Sequence, residues 1–186
     1  MCGLSAFFAA SPDPAVTGWI DRSIELVAHR GPDGRGRIVS SGGRIDEHLD
    51  GAIDWGLGHA RLAILGLGEQ GDQPMPSMDG SSWIVFNGEI YNYIELREEL
   101  RALGHDIFGE TDTEVVLAAW SQWGPDCVQR FNGMFAMVLV DTSRGCVFAA
   151  RDRLVDQRVR SVCRREETRD LCGNQPVRRA ATRREV

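Results

Sequence analysis

Residues 134–151 read MFAMVLVDTSRGCVFAAR, and this stretch decides the fold class. Two apolar runs, Met134–Asp141 and Cys146–Arg151, flank Thr142–Gly145, whose residues favour a turn. The pattern predicts a hairpin of two antiparallel strands. Upstream, Thr111-Asp112-Thr113-Glu114 has the form of a capping box and opens a helix that runs to about Trp123, where Gly124-Pro125 ends it. Residues 92–103 form an amphipathic helix with Leu96, Leu100 and Leu103 on one face, and Gly104 is placed to cap it. Asn87-Gly88 lies between apolar-rich segments and predicts a tight turn. Residues 55–65 and 83–87 read as strands. His29–Gly34 reads as a loop, and residues 14–28 as a helix carrying Ile20, Ile24 and Val27 on one face. Cys2–Ala9 reads as a short buried strand. Strands and helices that alternate irregularly, with hairpins, define an α+β layered fold rather than a parallel sheet.

A chain of 186 residues supplies one domain with a real core. No run of about 18 apolar residues occurs, so no membrane-spanning helix is expected. The N-terminus has no basic leader, and the expected location is cytoplasmic. Five cysteines (2, 127, 146, 163, 172) form no C-x-x-C pair, so neither a metal site nor a disulfide framework is expected. Residues 1–150 hold 10 Arg against 21 Asp plus Glu, and there is no Lys in the chain. Such an acidic body gives no electrostatic reason to bind nucleic acid. Residues 155–186 are Arg-rich, contain no aromatic residue and show no periodicity. They carry too little apolar surface to offset the entropy of ordering, so residues 1–154 are expected to form the domain and 155–186 a disordered tail.

Cys2-Gly3 directly after the initiator Met has a chemical reading. Removal of Met1 leaves a free α-amine of pKa about 8 beside the thiol. One residue then supplies both a nucleophile and the base that activates it.

Met-Cys-Gly at 1–3, His-Arg-Gly-Pro-Asp at 29–33, Gly-His-Ala-Arg-Leu-Ala-Ile at 58–64, Asn-Gly-Glu-Ile-Tyr-Asn at 87–92 and Thr-Asp-Thr-Glu at 111–114 follow one another in register. In this order they resemble the N-terminal glutaminase domain of glutamine-hydrolysing asparagine synthetases, members of the N-terminal-nucleophile hydrolases. The resemblance runs from Cys2 to about Leu154. It implies a four-layer αββα sandwich and hydrolysis of glutamine to glutamate and ammonia through a Cys2 thioester. It further implies an oxyanion hole from the Asn87 side-chain amide and the Gly88 N–H, with Arg61 clamping the substrate carboxylate and Asp112 binding its ammonium. Leu62, Ala63, Ile64, Leu65 and Glu89 line the glutamine pocket in the same reading. His29 is read as structural, because the α-amine already supplies the base. Glucosamine-6-phosphate synthase and the amidotransferase that opens purine synthesis share the N-terminal Cys and the Asn-Gly pair, but the segments at 58–64 and 87–92 fit asparagine synthetase better.

The chain departs from that pattern after Leu154. The family continues there into a further strand and then a synthetase domain, which uses ATP and magnesium and is absent from this sequence. The expectation is a sandwich without its last strands, a tail translated out of frame, no cofactor within this chain, and a separate synthetase domain as partner. A non-catalytic remnant is the alternative. Ser41-Gly42-Gly43-Arg44-Ile45-Asp46 superficially resembles an ATP pyrophosphate loop, but it has one residue too many before Asp46 and no following Ser; it reads as an ordinary loop.

Overall fold

The computed structural model describes residues 2–64 and 68–153. Leu65, Met1 and the predicted tail lie outside the described residues. The elements are β1 (Gly3–Asp13), α1 (Val16–Val27), β2 (Gly34–Ser41), β3 (Arg44–Asp46), β4 (Ile53–Arg61), β5 (Met75–Pro76), β6 (Ser82–Ile90), α2 (Tyr93–Ala102), α3 (Asp112–Trp123), β7 (Gly133–Asp141) and β8 (Cys146–Arg151). They form two four-stranded antiparallel sheets, ordered β1-β4-β2-β3 and β5-β6-β7-β8.

Three apolar clusters show how the layers stack. Ile20 and Ile24 of α1 pack on Val39 and Ile53 of the first sheet. Between the sheets lie Ile38 and Leu57 from one side and Val85, Val138 and Val140 from the other. Beyond the second sheet, Ile84, Phe86, Phe135, Met137 and Leu139 meet Leu96 and Leu100 of α2 and Val116 and Trp120 of α3. The order is helix, sheet, sheet, helices, a four-layer αββα sandwich. β7 is buried on both faces, which is why its sequence is a continuous apolar run rather than an alternation. No helix among the described residues is long and apolar enough to cross a membrane.

The hairpin at Met134–Arg151 forms as the sequence predicts, with Val138 opposite Ala149. Three expectations need correction. Asn87-Gly88 is not a turn but lies inside β6, paired with Ala136 and Phe135. Glycine is required there because a Cβ on Gly88 would run into the Met134 carbonyl oxygen and stand 2.5 Å from Phe135 Cα, so β7 approaches closely. The strand expected over 55–65 ends at Arg61, and Leu62–Ile64 leave the sheet. Leu103 does not join the buried face of α2. It is the C-cap residue, 51% exposed, because Gly104 at φ +94° turns the chain away there. Ser41–Asp46 is the β2–β3 hairpin, with Gly42 and Gly43 both at positive φ.

Candidate active site

Alternation along the strands brings the two sheets' chemistry together. In β1, Leu4 and Ala6 pack into the layer between the sheets, so Cys2, two residues before Leu4, points toward the second sheet. Gly3 faces the other way, where a Cβ would sit 2.5 Å from the Val27 side chain of α1. In β6, Val85 belongs to the same inter-sheet layer, so Asn87 and Glu89 share its face and look back toward Cys2. Where the inter-sheet core ends, a cleft opens. It is lined by Cys2, Arg61, Leu62, Ile64, Asn87, Gly88, Glu89 and Asp112.

The Cys2 thiol lies against the strand exit: Leu62 N–H donates to Sγ at 3.3 Å and Sγ lies 3.6 Å from the Leu62 carbonyl oxygen. The 62–64 segment is held in turn by Asp33, whose carboxylate accepts from the Ala63 N–H at 2.9 Å.

The direction of the Gly88 N–H follows from its neighbours. Asp152 N–H donates to the Phe135 carbonyl at 2.8 Å and its carboxylate accepts from the Phe135 N–H at 3.3 Å. Phe135 therefore spends its backbone groups on the side away from β6. The Gly88–Phe135 pair is thus a non-hydrogen-bonded one, and the Gly88 N–H points off the free side of β6, into the cleft. Phe86 and Ile90 point the same way. Phe86 N–H donates to Gln73 Oε1 at 2.5 Å, and Ile90 N–H to Asp112 Oδ2 at 3.0 Å.

Asp112 opens α3 behind Thr111, whose hydroxyl accepts from the Glu114 N–H at 3.3 Å. Burial pushes the Asp112 carboxyl above its ordinary pKa although the Ile90 N–H opposes the shift. Glu89 is raised too, first by burial and then by the nearby Asp112 charge. Two carboxyls with raised pKa at one end of a cleft form a place for a cation. Arg61 is buried at the end of β4, with Nη1 donating to the Gly68 carbonyl at 2.9 Å and to Asp72 Oδ1 at 2.8 Å.

Of the predicted residues that are described, the structure thus gathers all but Ala63, whose N–H is turned onto Asp33; Leu65 lies outside the described residues. His29 is exposed and does not line the cleft. Sequence reasoning missed His59, Gln73, Phe86, Thr111, Thr113 and Met134, which also line it. Their signals were slight: His59 is a polar residue in an apolar strand, and Gln73 a polar residue directly before Pro74. Among the described residues no group of His, Cys, Asp and Glu is arranged to hold a metal ion.

A helix-clad sandwich of two antiparallel sheets, with a cysteine at the start of the first strand facing the second sheet, is the α+β sandwich fold of the N-terminal-nucleophile hydrolases. Residues 1–158 match the glutamine amidotransferase domain family, and the chain belongs to that family. It is 41% identical over 142 residues to asparagine synthetase [glutamine-hydrolyzing] 3 of Bacillus subtilis, covering 75% of this chain and 23% of that protein. It is 37% identical over 164 residues to amidase chyE of Penicillium rubens, covering 82% of this chain and 22% of that protein. The chain spans about a quarter of the length of these curated relatives. Its fold matches that of the glutamine phosphoribosylpyrophosphate amidotransferase of Bacillus subtilis, solved with ADP and GMP, with a TM-score of 0.62 at 17% identity over 82% of this chain and 37% of that one.

Proposed function

We propose that this chain hydrolyses the side-chain amide of glutamine, as the glutaminase part of asparagine synthesis from aspartate. The observation that carries the reading is the convergence in one cleft of the Cys2 thiol, from one sheet, with Asn87 and the inward Gly88 N–H, from the other. After removal of Met1 the Cys2 α-amine takes the thiol proton, and Sγ attacks the amide carbon of glutamine. The tetrahedral oxyanion is met by the Gly88 N–H and the Asn87 side-chain amide. Donors already aimed at such an oxygen are worth about 3–4 kcal/mol each. The α-ammonium returns its proton to the leaving nitrogen, ammonia departs, and a Cys2 thioester remains. Water, deprotonated by the same amine, hydrolyses the thioester to glutamate.

Binding uses the ends of the cleft. Arg61 takes the substrate α-carboxylate, in exchange for part of its contact with Asp72. Asp112 and Glu89 take the α-ammonium, whose charge offsets the cost of burying theirs. Leu62 and Ile64 line the aliphatic part. Residues 1–154 form the glutaminase domain in this reading, with 155–186 outside it. The domain acts in the cytoplasm with a synthetase domain as its partner, and ATP and magnesium belong to that partner.

The test is glutamate release from glutamine by the purified chain, with its N-terminal residue verified by mass and Cys2→Ala as control. Release that depends on Cys2 is the expected result. A folded, Met1-processed sample that releases none overturns the reading and makes the chain a non-catalytic remnant.

A further inference from the structure

Past Ile84, β6 has no strand on its free side among the described residues, because β5 pairs only with Trp83 and Ile84. The Phe86 backbone groups that would have met a neighbour are met by buried side chains instead. Gln73 Oε1 accepts from the Phe86 N–H at 2.5 Å, and the Phe86 carbonyl accepts from His59 Nε2 at 3.2 Å. Both side chains are almost fully buried, Gln73 at 8% exposure and His59 at 1%. The Phe86 peptide is therefore held on both its polar groups, two residues before Gly88.

Gln73 is itself fixed at its other atoms. Its Nε2 donates to Thr113 Oγ1 at 3.3 Å, in the first turn of α3 beside Asp112. Its carbonyl lies so close to β2 that a Cβ on Gly36 would collide with it. One residue thus touches the first sheet, β6 and α3, the three parts that supply the cleft. We propose that Gln73, with His59 as its counterpart, is the positioning residue that aims the Gly88 N–H at the substrate's amide oxygen.

The chemistry explains why an amide serves here. The site needs an acceptor for the Phe86 N–H and a donor for Thr113, with no charge beside an oxygen that becomes negative. A neutral amide meets all three needs. A protonated Glu would do the same, with its C=O and O–H in place of the C=O and N–H. An ionised Glu would repel the oxyanion and lose the donor.

This inference rests on the glutaminase reading, and its test separates the two. The full chain and its Gln73→Met and Gln73→Glu variants are assayed for glutamine hydrolysis from pH 5.5 to 8.5. Alongside, Cys2 alkylation by iodoacetamide and the amide resonances and hydrogen exchange of Phe86 and Gly88 are followed. Gln73→Met is expected to lower kcat at least tenfold, with KM and the alkylation rate within about twofold of the parent, since misaiming one oxyanion donor forfeits part of its roughly 10²–10³-fold effect. The ratio of Gln73→Glu to parent kcat is expected to rise as pH falls and the new carboxyl takes up a proton. An unchanged kcat for Gln73→Met, or a ratio independent of pH, overturns the proposal. If the parent releases no glutamate, the glutaminase reading fails by itself. The positioning role is then read from the amides: Gln73→Met must speed Phe86 exchange and shift the Gly88 resonance, and resonances that stay in place overturn it.

Discussion

His59 shows how much one buried side chain constrains. The Phe86 carbonyl can only accept, so His59 Nε2 must carry the proton, and the neutral ring leaves Nδ1 bare. Nδ1 is buried with no hydrogen-bond partner among the described residues. Protonation would place a second N–H and a charge in an apolar layer, and burial accordingly pushes the pKa down to about 4. The unfolded chain then binds a proton that the folded chain refuses between about pH 6.5 and pH 4. Stability from this group is full above pH 6.5 and falls as pH drops through that window, by about 3 kcal/mol at pH 4. Asp112 and Glu89, with raised pKa, act in the opposite direction and favour the folded state as they protonate. Urea unfolding at pH 7 and pH 4.5 of the parent and of His59→Gln isolates the histidine, since Gln keeps a donor for Phe86 and does not titrate. The parent should lose more stability than the variant; equal losses would show that His59 is not held neutral. Gly88 allows a second forecast at this scale. Gly88→Ala puts a methyl against the Met134 carbonyl and Phe135 Cα, which costs about 1–3 kcal/mol and displaces the N–H. Glutaminase kcat should fall at least tenfold at temperatures where circular dichroism shows the variant folded, and a folded variant with parental kcat would remove the Gly88 N–H from the mechanism.

At the scale of elements, α3 shows a cap that serves both stability and site. Thr111 accepts from the Glu114 N–H, while the Glu114 carboxylate turns to the Gly109 N–H at 3.2 Å rather than back to the cap. Thr111→Ala should cost about 1 kcal/mol and let the first turn, with Asp112, fray. The urea midpoint should drop and KM for glutamine rise while kcat changes little; a KM that stays put would mean Asp112 is held in place without the cap. The Thr111 half of this cap was legible in the sequence because its chemistry is local, a Thr with a Glu three residues on. The hairpin at Met134–Arg151 and the helix faces carrying Ile20, Ile24, Leu96 and Leu100 were legible for the same reason. Asn87-Gly88 was misread because two physical causes ask for glycine. A turn needs positive φ, and a crowded strand needs a missing Cβ; nothing local to residues 87 and 88 distinguishes them, since the crowding comes from β7, more than 40 residues on. Cys2, Asn87, Gly88, Glu89, Arg61 and Asp112 were named from motifs, whereas Gln73 and His59 escaped because their partners, Phe86 and Thr113, are distant in sequence and become neighbours only after folding.

Over the whole molecule, the cleft has no scaffold of its own. Cys2 and Arg61 hang from the first sheet, and Asn87, Gly88 and Glu89 from the second. What fixes the distance between these two sets is the layer of Ile38, Leu57, Val85, Val138 and Val140. β8 stands at the edge of the second sheet among the described residues. It is anchored by Trp120, which lies 4.9 Å from Phe148 and donates to Asp141 at 2.8 Å. The inter-sheet layer therefore cannot loosen without opening the cleft. Leu57 is fully buried at its centre, and Leu57→Ala removes its contacts to the second sheet. The cost should be about 2–5 kcal/mol, visible as a lower urea midpoint with an unchanged slope. In both proteins, loss of glutaminase activity and loss of tryptophan signal should then coincide along the urea axis, with both curves shifted together in the variant. Activity that disappears well before the structural signal would show instead that the cleft opens on its own, and that the strand ends rather than the shared core set its geometry.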